Sequence, residues 1–118
     1  MAQLNSSLEA WAALAAHAGE IAGAHLRDLN SDPQRWQSFH VEHDGWLLDF
    51  SRQRITGKTL SLLLELARAA DLPARRAAMF RGDAINTTEQ RAVLHTALRS
   101  DFAGPPAVQA EVRDSRRK

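Results

Sequence analysis

A chain of 118 residues, 44% hydrophobic and 25% charged, has room for one domain or part of a larger one and the composition of a soluble, folded protein. Fifteen Lys and Arg oppose fourteen Asp and Glu, and only residues 113–118 are locally basic, interrupted by Asp114, so no nucleic-acid footprint is present. Absent cysteine excludes disulfides and thiolate-ligated zinc, no stretch has the length of a membrane span, and residues 1–18 lack a signal peptide's basic start, so a cytoplasmic protein with no nucleic-acid or membrane partner is expected.

Taken in chain order, Ser6-Ser7-Leu8-Glu9 has the Ser-x-x-Glu spacing of a capping box. Leu8, Trp11, Leu14, Ala15 and Ala18 then recur at helical spacing and predict one apolar stripe, with Gly19 placed to stop the helix. A second short turn is expected between Glu20 and Leu29, and Asp32-Pro33 reads as N-cap plus N1 of a helix lasting to about Ser38. The period then changes. Phe39 and Val41 alternate with His40 and Glu42, Asp44-Gly45 is a tight-turn pair, and Trp46, Leu48 and Phe50 alternate after it. This predicts a β-hairpin over residues 39–50 with Phe39, Val41, Trp46, Leu48 and Phe50 on one face. A two-stranded hairpin is marginal alone, so that face is expected to rest on helices.

Helix resumes after Thr56. At 100° per residue, Leu60, Leu62, Leu63, Leu64, Leu66 and the alanines 67, 69 and 70 cover an arc of about 220°, against roughly 100° for a helix that merely caps a core. Only Lys58, Ser61, Glu65 and Arg68 mark a wet side, so this helix is expected to be surrounded, with Leu62 and Leu66 at the outer edge of the arc. Pro73 opens a further helix ending near Gly82, with Ala74, Ala77, Ala78 and Phe80 available for packing. Asn86 stands three residues before Glu89 in a box-like spacing and predicts a last clear helix over 86–99, its buried side made by Val93, Leu94, Ala97 and Leu98. Gly104-Pro105-Pro106 breaks the chain, and residues 107–118 read as a helix cut off mid-course. No repeat or low-complexity tract occurs.

Two constellations invite a chemical reading. His40, Glu42 and His43 have metal-ligand side chains, but a tetrahedral site needs further ligands from elsewhere, and a polar strand face beside a turn accounts for the same residues. Arg91, His95 and Arg99 fall at i, i+4 and i+8 of the predicted helix, a cationic ladder suited to a phosphate or to a partner's carboxylate; a solvated or ion-paired helix face is the plainer reading. His17 and His25 are isolated. No Ser/His/Asp signature and no phosphate-loop glycine spacing occurs, so residue chemistry alone assigns no catalytic, cofactor-binding or metal-ligating residue.

Two stretches carry a family likeness. Leu48-Asp49-Phe50-Ser51-Arg52-Gln53-Arg54-Ile55-Thr56 is similar to a segment of the glucose-6-phosphate isomerase family that has Asp, an aromatic, Ser, Lys, Asn, a variable position, Ile or Val, and Thr. The run from Met79 to Arg99 resembles the same family more specifically, through Met79-Phe80-x-Gly82, Ile85-Asn86-x-Thr88-Glu89 and Arg91-Ala92-Val93-Leu94-His95-x-Ala97-Leu98-Arg99. Leu26-Arg27-Asp28-Leu29 and Asp32-Pro33-Gln34-Arg35-Trp36 add weaker support, and the likeness spans roughly residues 8–99. Arg52-Gln53 stands where Lys-Asn is common, and Phe50 where Tyr is frequent.

The resemblance implies an aldose–ketose isomerase that interconverts glucose 6-phosphate and fructose 6-phosphate. Such an enzyme opens the sugar ring and shuttles a proton between C2 and C1 on a Glu through an enediol, with no metal or organic cofactor. It also implies that this chain is a mainly α N-terminal segment with one β-hairpin, an incomplete domain of an α/β enzyme of the sugar-isomerase αβα-sandwich type, cytoplasmic and homodimeric. Family members are several times longer, and their phosphate-binding region, base Glu and ring-opening His and Lys come later. No residue here matches those motifs, so none carries over as catalytic, and the chain by itself is expected to be inactive and prone to self-association. The alternative is a stand-alone helical interaction module without catalysis, using the face of Arg91, His95 and Arg99.

Overall fold

A computed structural model describes residues 9–97, 99 and 104–117. They fall into two compact units that divide between Ala70 and Asp71. The capping box expected at Ser6 lies outside the described residues.

The first unit contains α1 (Glu9–Glu20), α2 (Leu26–Leu29), α3 (Arg35–Ser38), β1 (His40–His43), β2 (Trp46–Asp49) and α4 (Gly57–Ala69), with α1 packed against α4. α4 begins at a capping box: the Thr56 hydroxyl accepts from the Thr59 N–H and the Thr59 hydroxyl from the Thr56 N–H. Its covered side carries Thr59, Leu62, Leu66 and Ala70, spaced at i, i+3, i+7 and i+11, while Leu63 and Leu64 stay exposed. Leu62 and Leu66 are therefore on the covered side, not at the edge of the arc. α1 turns a different side inward than its apolar stripe predicts. Ala10, Leu14 and His17 are its covered positions, continued by Ile21 just past its end, while Trp11, Ala15 and Ala18 face solvent and Gly19 lies inside the helix. The stripe failed because a polar residue, His17, is the most buried position of the helix.

The hairpin forms at the expected place. β1 and β2 pair antiparallel with Val41 opposite Leu48 and His43 opposite Trp46, and the two-residue turn has φ +46 at Asp44 and +78 at Gly45. Both values lie in the left-handed region that a primed turn demands and that Gly tolerates without a Cβ clash. Val41, Trp46 and Leu48 do share a face, but it does not rest on helices: all three are exposed, Trp46 to 80%. Only the base of the hairpin is covered. Phe39 is buried and meets Phe50 edge-to-face with ring centroids 5.9 Å apart.

The second unit contains α5 (Leu72–Arg81) and α6 (Pro106–Arg117). α5 has Pro73 in its first turn and ends where expected, on Gly82, which takes φ +77 as a left-handed cap. Residues 86–97 do not form the predicted helix. Asn86 pairs with Arg91 in an isolated antiparallel bridge, with N–H···O distances of 3.1 and 3.3 Å, and single turns follow. The physical reason is one torsion: Gln90 takes φ +50 and turns the chain back on itself. Of the side expected to be buried, Ala97 is buried, Val93 is half-buried and Leu94 is exposed; Leu98 lies outside the described residues.

Candidate functional site

The densest polar construction in the first unit surrounds Arg35. Asp32 Oδ1 accepts from the Gln34 N–H at 2.9 Å, shaping the turn that leads into α3, where Arg35 is 6% exposed. From there the guanidinium spans 16 to 20 residues of sequence: Nε donates to the Ser51 carbonyl at 2.6 Å, and one terminal nitrogen donates to the carbonyls of Gln53 and Ile55 at 2.7 and 3.1 Å. Its carbon also lies 4.6 Å from the centre of the Phe39 ring. A planar fork with fixed donors suits three carbonyls of the irregular stretch between β2 and α4, of which that of Gln53 also accepts from the Ile55 N–H at 2.9 Å. Asp49 completes the corner. Its Oδ1 accepts from the Ser51 N–H at 2.8 Å, and hydrogen bonds from the Ser51 side chain and backbone hold its carboxyl below the ordinary value.

A second construction joins α1 to α4. His17 is 3% exposed, with Nδ1 2.9 Å from the Glu20 carboxylate and Nε2 2.8 Å from the Thr59 hydroxyl. A carboxylate only accepts, so Nδ1 donates. Lys58 Nζ donates to the same Glu20 oxygen at 2.6 Å. These bonds, the one from His17 foremost and that from Lys58 next, hold the Glu20 carboxyl below its ordinary value. A carboxylate whose pKa falls on folding stabilises the fold above its unfolded-state pKa and loses that contribution as pH falls through the folded one. The melting temperature should therefore fall on acidification through the carboxylate range, and Glu20→Gln should flatten that part of the curve. Because Glu20 is exposed, the effect is small. A Gln variant with the parent's slope would assign the acid sensitivity to other carboxylates, Asp49 first among them.

The sequence candidates are not gathered into either construction. In β1, His40 shares a strand face with Glu42 while His43 points to the other, and no group of three or more potential metal ligands exists among the described residues. His40 is stacked on Trp36, with ring centroids 3.8 Å apart, and its Nδ1 donates to the Trp36 carbonyl at 2.7 Å; Glu42 and His43 face solvent. Without the helix over 86–99, Arg91, His95 and Arg99 do not form a ladder, and the Arg91 guanidinium is paired with Glu89 instead. That removes the feature on which the interaction-module alternative stood. His25 is a helix cap, its Nδ1 accepting from the Arg27 N–H at 3.1 Å. An open cleft of about 630 Å³ runs beside Arg35 and Trp36, but its carboxylates, Asp32 and Asp49, are both engaged by backbone N–H groups. Sequence reasoning missed His17, Thr59 and Arg35 as organising residues. The only signal for Arg35 was its place in Asp32-Pro33-Gln34-Arg35-Trp36, and for His17 none existed within its own helix.

With the geometry in hand, comparison with known proteins defines the class. The family model of phosphoglucose isomerase matches residues 49–115, more than half of the chain. A glucose-6-phosphate isomerase of Deinococcus radiodurans is 53% identical over 96 residues, covering 80% of this chain and 18% of the relative. One from Burkholderia pseudomallei is 48% identical over 118 residues, covering 96% of this chain and 22% of the relative. A cytosolic glucose-6-phosphate isomerase of Arabidopsis thaliana is 52% identical over 92 residues, covering 78% and 16%. The chain belongs to the phosphoglucose isomerase family. It spans about a fifth of the length of the curated relatives it matches.

Proposed function

We propose that this chain is the N-terminal scaffold segment of a glucose-6-phosphate isomerase, the enzyme that interconverts glucose 6-phosphate and fructose 6-phosphate in glycolysis and gluconeogenesis. The observation that carries this reading is identity near one half, over three-quarters or more of the chain, with relatives that bear that name. In this reading the whole enzyme is a cytoplasmic homodimer built on a sugar-isomerase αβα sandwich, it acts on a sugar phosphate without a metal or organic cofactor, and residues 1–118 are an incomplete domain of it.

Ring opening and proton transfer between adjacent carbons need a carboxylate, an imidazole and a phosphate cradle held around one substrate. Among the described residues, the two buried ionisable side chains are committed otherwise. Arg35 is bound to three main-chain carbonyls, and His17 lies between Glu20 and Thr59. In this reading the segment contributes packing, no described residue is assigned a catalytic, cofactor-binding or metal-ligating role, and the chain is inactive alone. The exposed hairpin face and the exposed leucines of α4 support an incomplete domain that self-associates when isolated.

The test is a chimera. Substituting this chain for the matching stretch of the Burkholderia pseudomallei relative should preserve fructose 6-phosphate isomerisation, while the 118-residue chain alone should not exceed the buffer rate. A chimera that folds and assembles like its parent but has no activity would overturn the scaffold reading. Turnover by the isolated chain that survives rigorous removal of host isomerase would overturn its inactivity.

A further inference from the structure

Residues 86–97 carry two instructions at once. Asn86 Oδ1 accepts from the N–H groups of Thr88 and Glu89 at 3.2 and 3.1 Å, the bonding of a helix N-cap, while Asn86 Nδ2 donates to the Glu89 carboxylate at 3.2 Å. Residues 87–90 form a turn, and its side-chain bonds match those at the start of a helix. The residues beyond the cap are helix-competent: from Glu89 to Ala97 there is no Gly or Pro, Glu, Gln, Arg, Ala and Leu predominate, and Val93, Leu94 and Ala97 lie on one side. The chain nevertheless departs from a helical course at one residue. Gln90, an exposed non-glycine, takes φ +50, and Arg91 returns to pair with Asn86. A left-handed torsion is disfavoured for a residue bearing Cβ, and a short helix is marginal in water without a packed face. Two continuations therefore share the Asn86 cap, each with one local cost, and they differ first in the φ of Gln90.

We infer that residues 86–97 are a two-state element hinged on Gln90, in which a turned form closed by the Asn86–Arg91 pair exchanges with a helix grown from the same Asn86 cap. The two forms arrange cations differently. In the turned form Arg91 is bridged to Asn86 through its backbone and paired with Glu89 through its side chain. In the helical form Arg91 and His95 stand one turn apart on one face, where an i, i+4 pair can take a single anionic group. The hinge thus decides whether that cationic pair exists. The inference concerns this chain's own backbone and does not depend on the isomerase reading.

Opposed substitutions at the exposed hinge test it by NMR on the whole chain. Gln90→Gly removes the left-handed cost and should retain the Asn86–Arg91 cross-strand contact. Gln90→Ala keeps that cost and slightly improves helix propensity, so it should weaken the contact below the parental level and move the Cα shifts of residues 87–97 toward helical values. The turn-to-helix ratio should differ between the two variants by about tenfold or more. Gln90→Asn, which tolerates the left-handed region while keeping a polar amide, should behave like the Gly variant. Unchanged α5 resonances serve as the folding control. Indistinguishable shifts in the Ala and Gly variants, or an Ala variant that retains the Asn86–Arg91 contact at the parental level, overturn the hinge.

Discussion

Replacing Arg35 with alanine should cost about 3–5 kcal/mol of stability, the largest loss expected from one polar residue of this chain. Three main-chain carbonyls, those of Ser51, Gln53 and Ile55, lose a charged donor together, and the chain between β2 and α4 loses the group that ties it to α3. Phe39 loses the guanidinium against its ring as well. Arg35→Lys should recover less than half of the loss, because one ammonium on a flexible stem cannot reproduce Nε and a terminal nitrogen acting in one plane. Urea unfolding followed by Trp fluorescence measures both variants, and amide exchange of residues 51–55 should accelerate in the alanine form. A cost below about 1 kcal/mol would mean that water satisfies these carbonyls and that the clasp is dispensable.

How far the fold is legible in the sequence depends on how local each determinant is. The Asp44-Gly45 turn, the start of α4 after Thr56 and the Gly82 stop each involve a few adjacent residues, and all three stand where the residues place them. The buried side of α1 is not local. It is set by a bond from His17 to Thr59, 42 residues away, and a polarity pattern counts a histidine as solvent-facing. Arg35 presents the same difficulty, since its acceptors lie 16 to 20 residues downstream. In the hairpin, alternation correctly gathers Val41, Trp46 and Leu48 onto one face but says nothing about what covers it. The stretch from Asn86 to Ala97 fails for another reason. Its local signals are sound as far as the cap, and the competing continuation is decided at Gln90. As for chemistry, the family is legible in two motif-rich runs and not in any cluster of reactive groups.

The isolated chain should associate at high concentration, and the hairpin should drive it. Trp46 is 80% exposed and Leu48 64% exposed, on a face they share with Val41, while Leu63 and Leu64 of α4 are 41% and 48% exposed. Covering a large apolar side chain is worth about 1.5–3 kcal/mol. Two copies that each cover Trp46 and Leu48 thus gain roughly 6–12 kcal/mol before the cost of association, estimated at about 4–15 kcal/mol. The balance favours weak, concentration-dependent complexes over a permanent dimer. Trp46→Ser combined with Leu48→Thr should move the chain toward monomer with a stability change within about 0.5 kcal/mol, because these side chains are already in water and Thr suits a strand. Leu63→Gln with Leu64→Gln is the matched control on α4: if the hairpin dominates, it should reduce association less. Light scattering over a dilution series, with dye binding and a thermal melt alongside, separates the outcomes. Greater loss of association in the α4 pair would transfer the role to the helix. A compact monomer at every concentration, melting sharply and binding no dye, would make the exposed face a tolerated surface and would remove the support it gives to an incomplete domain.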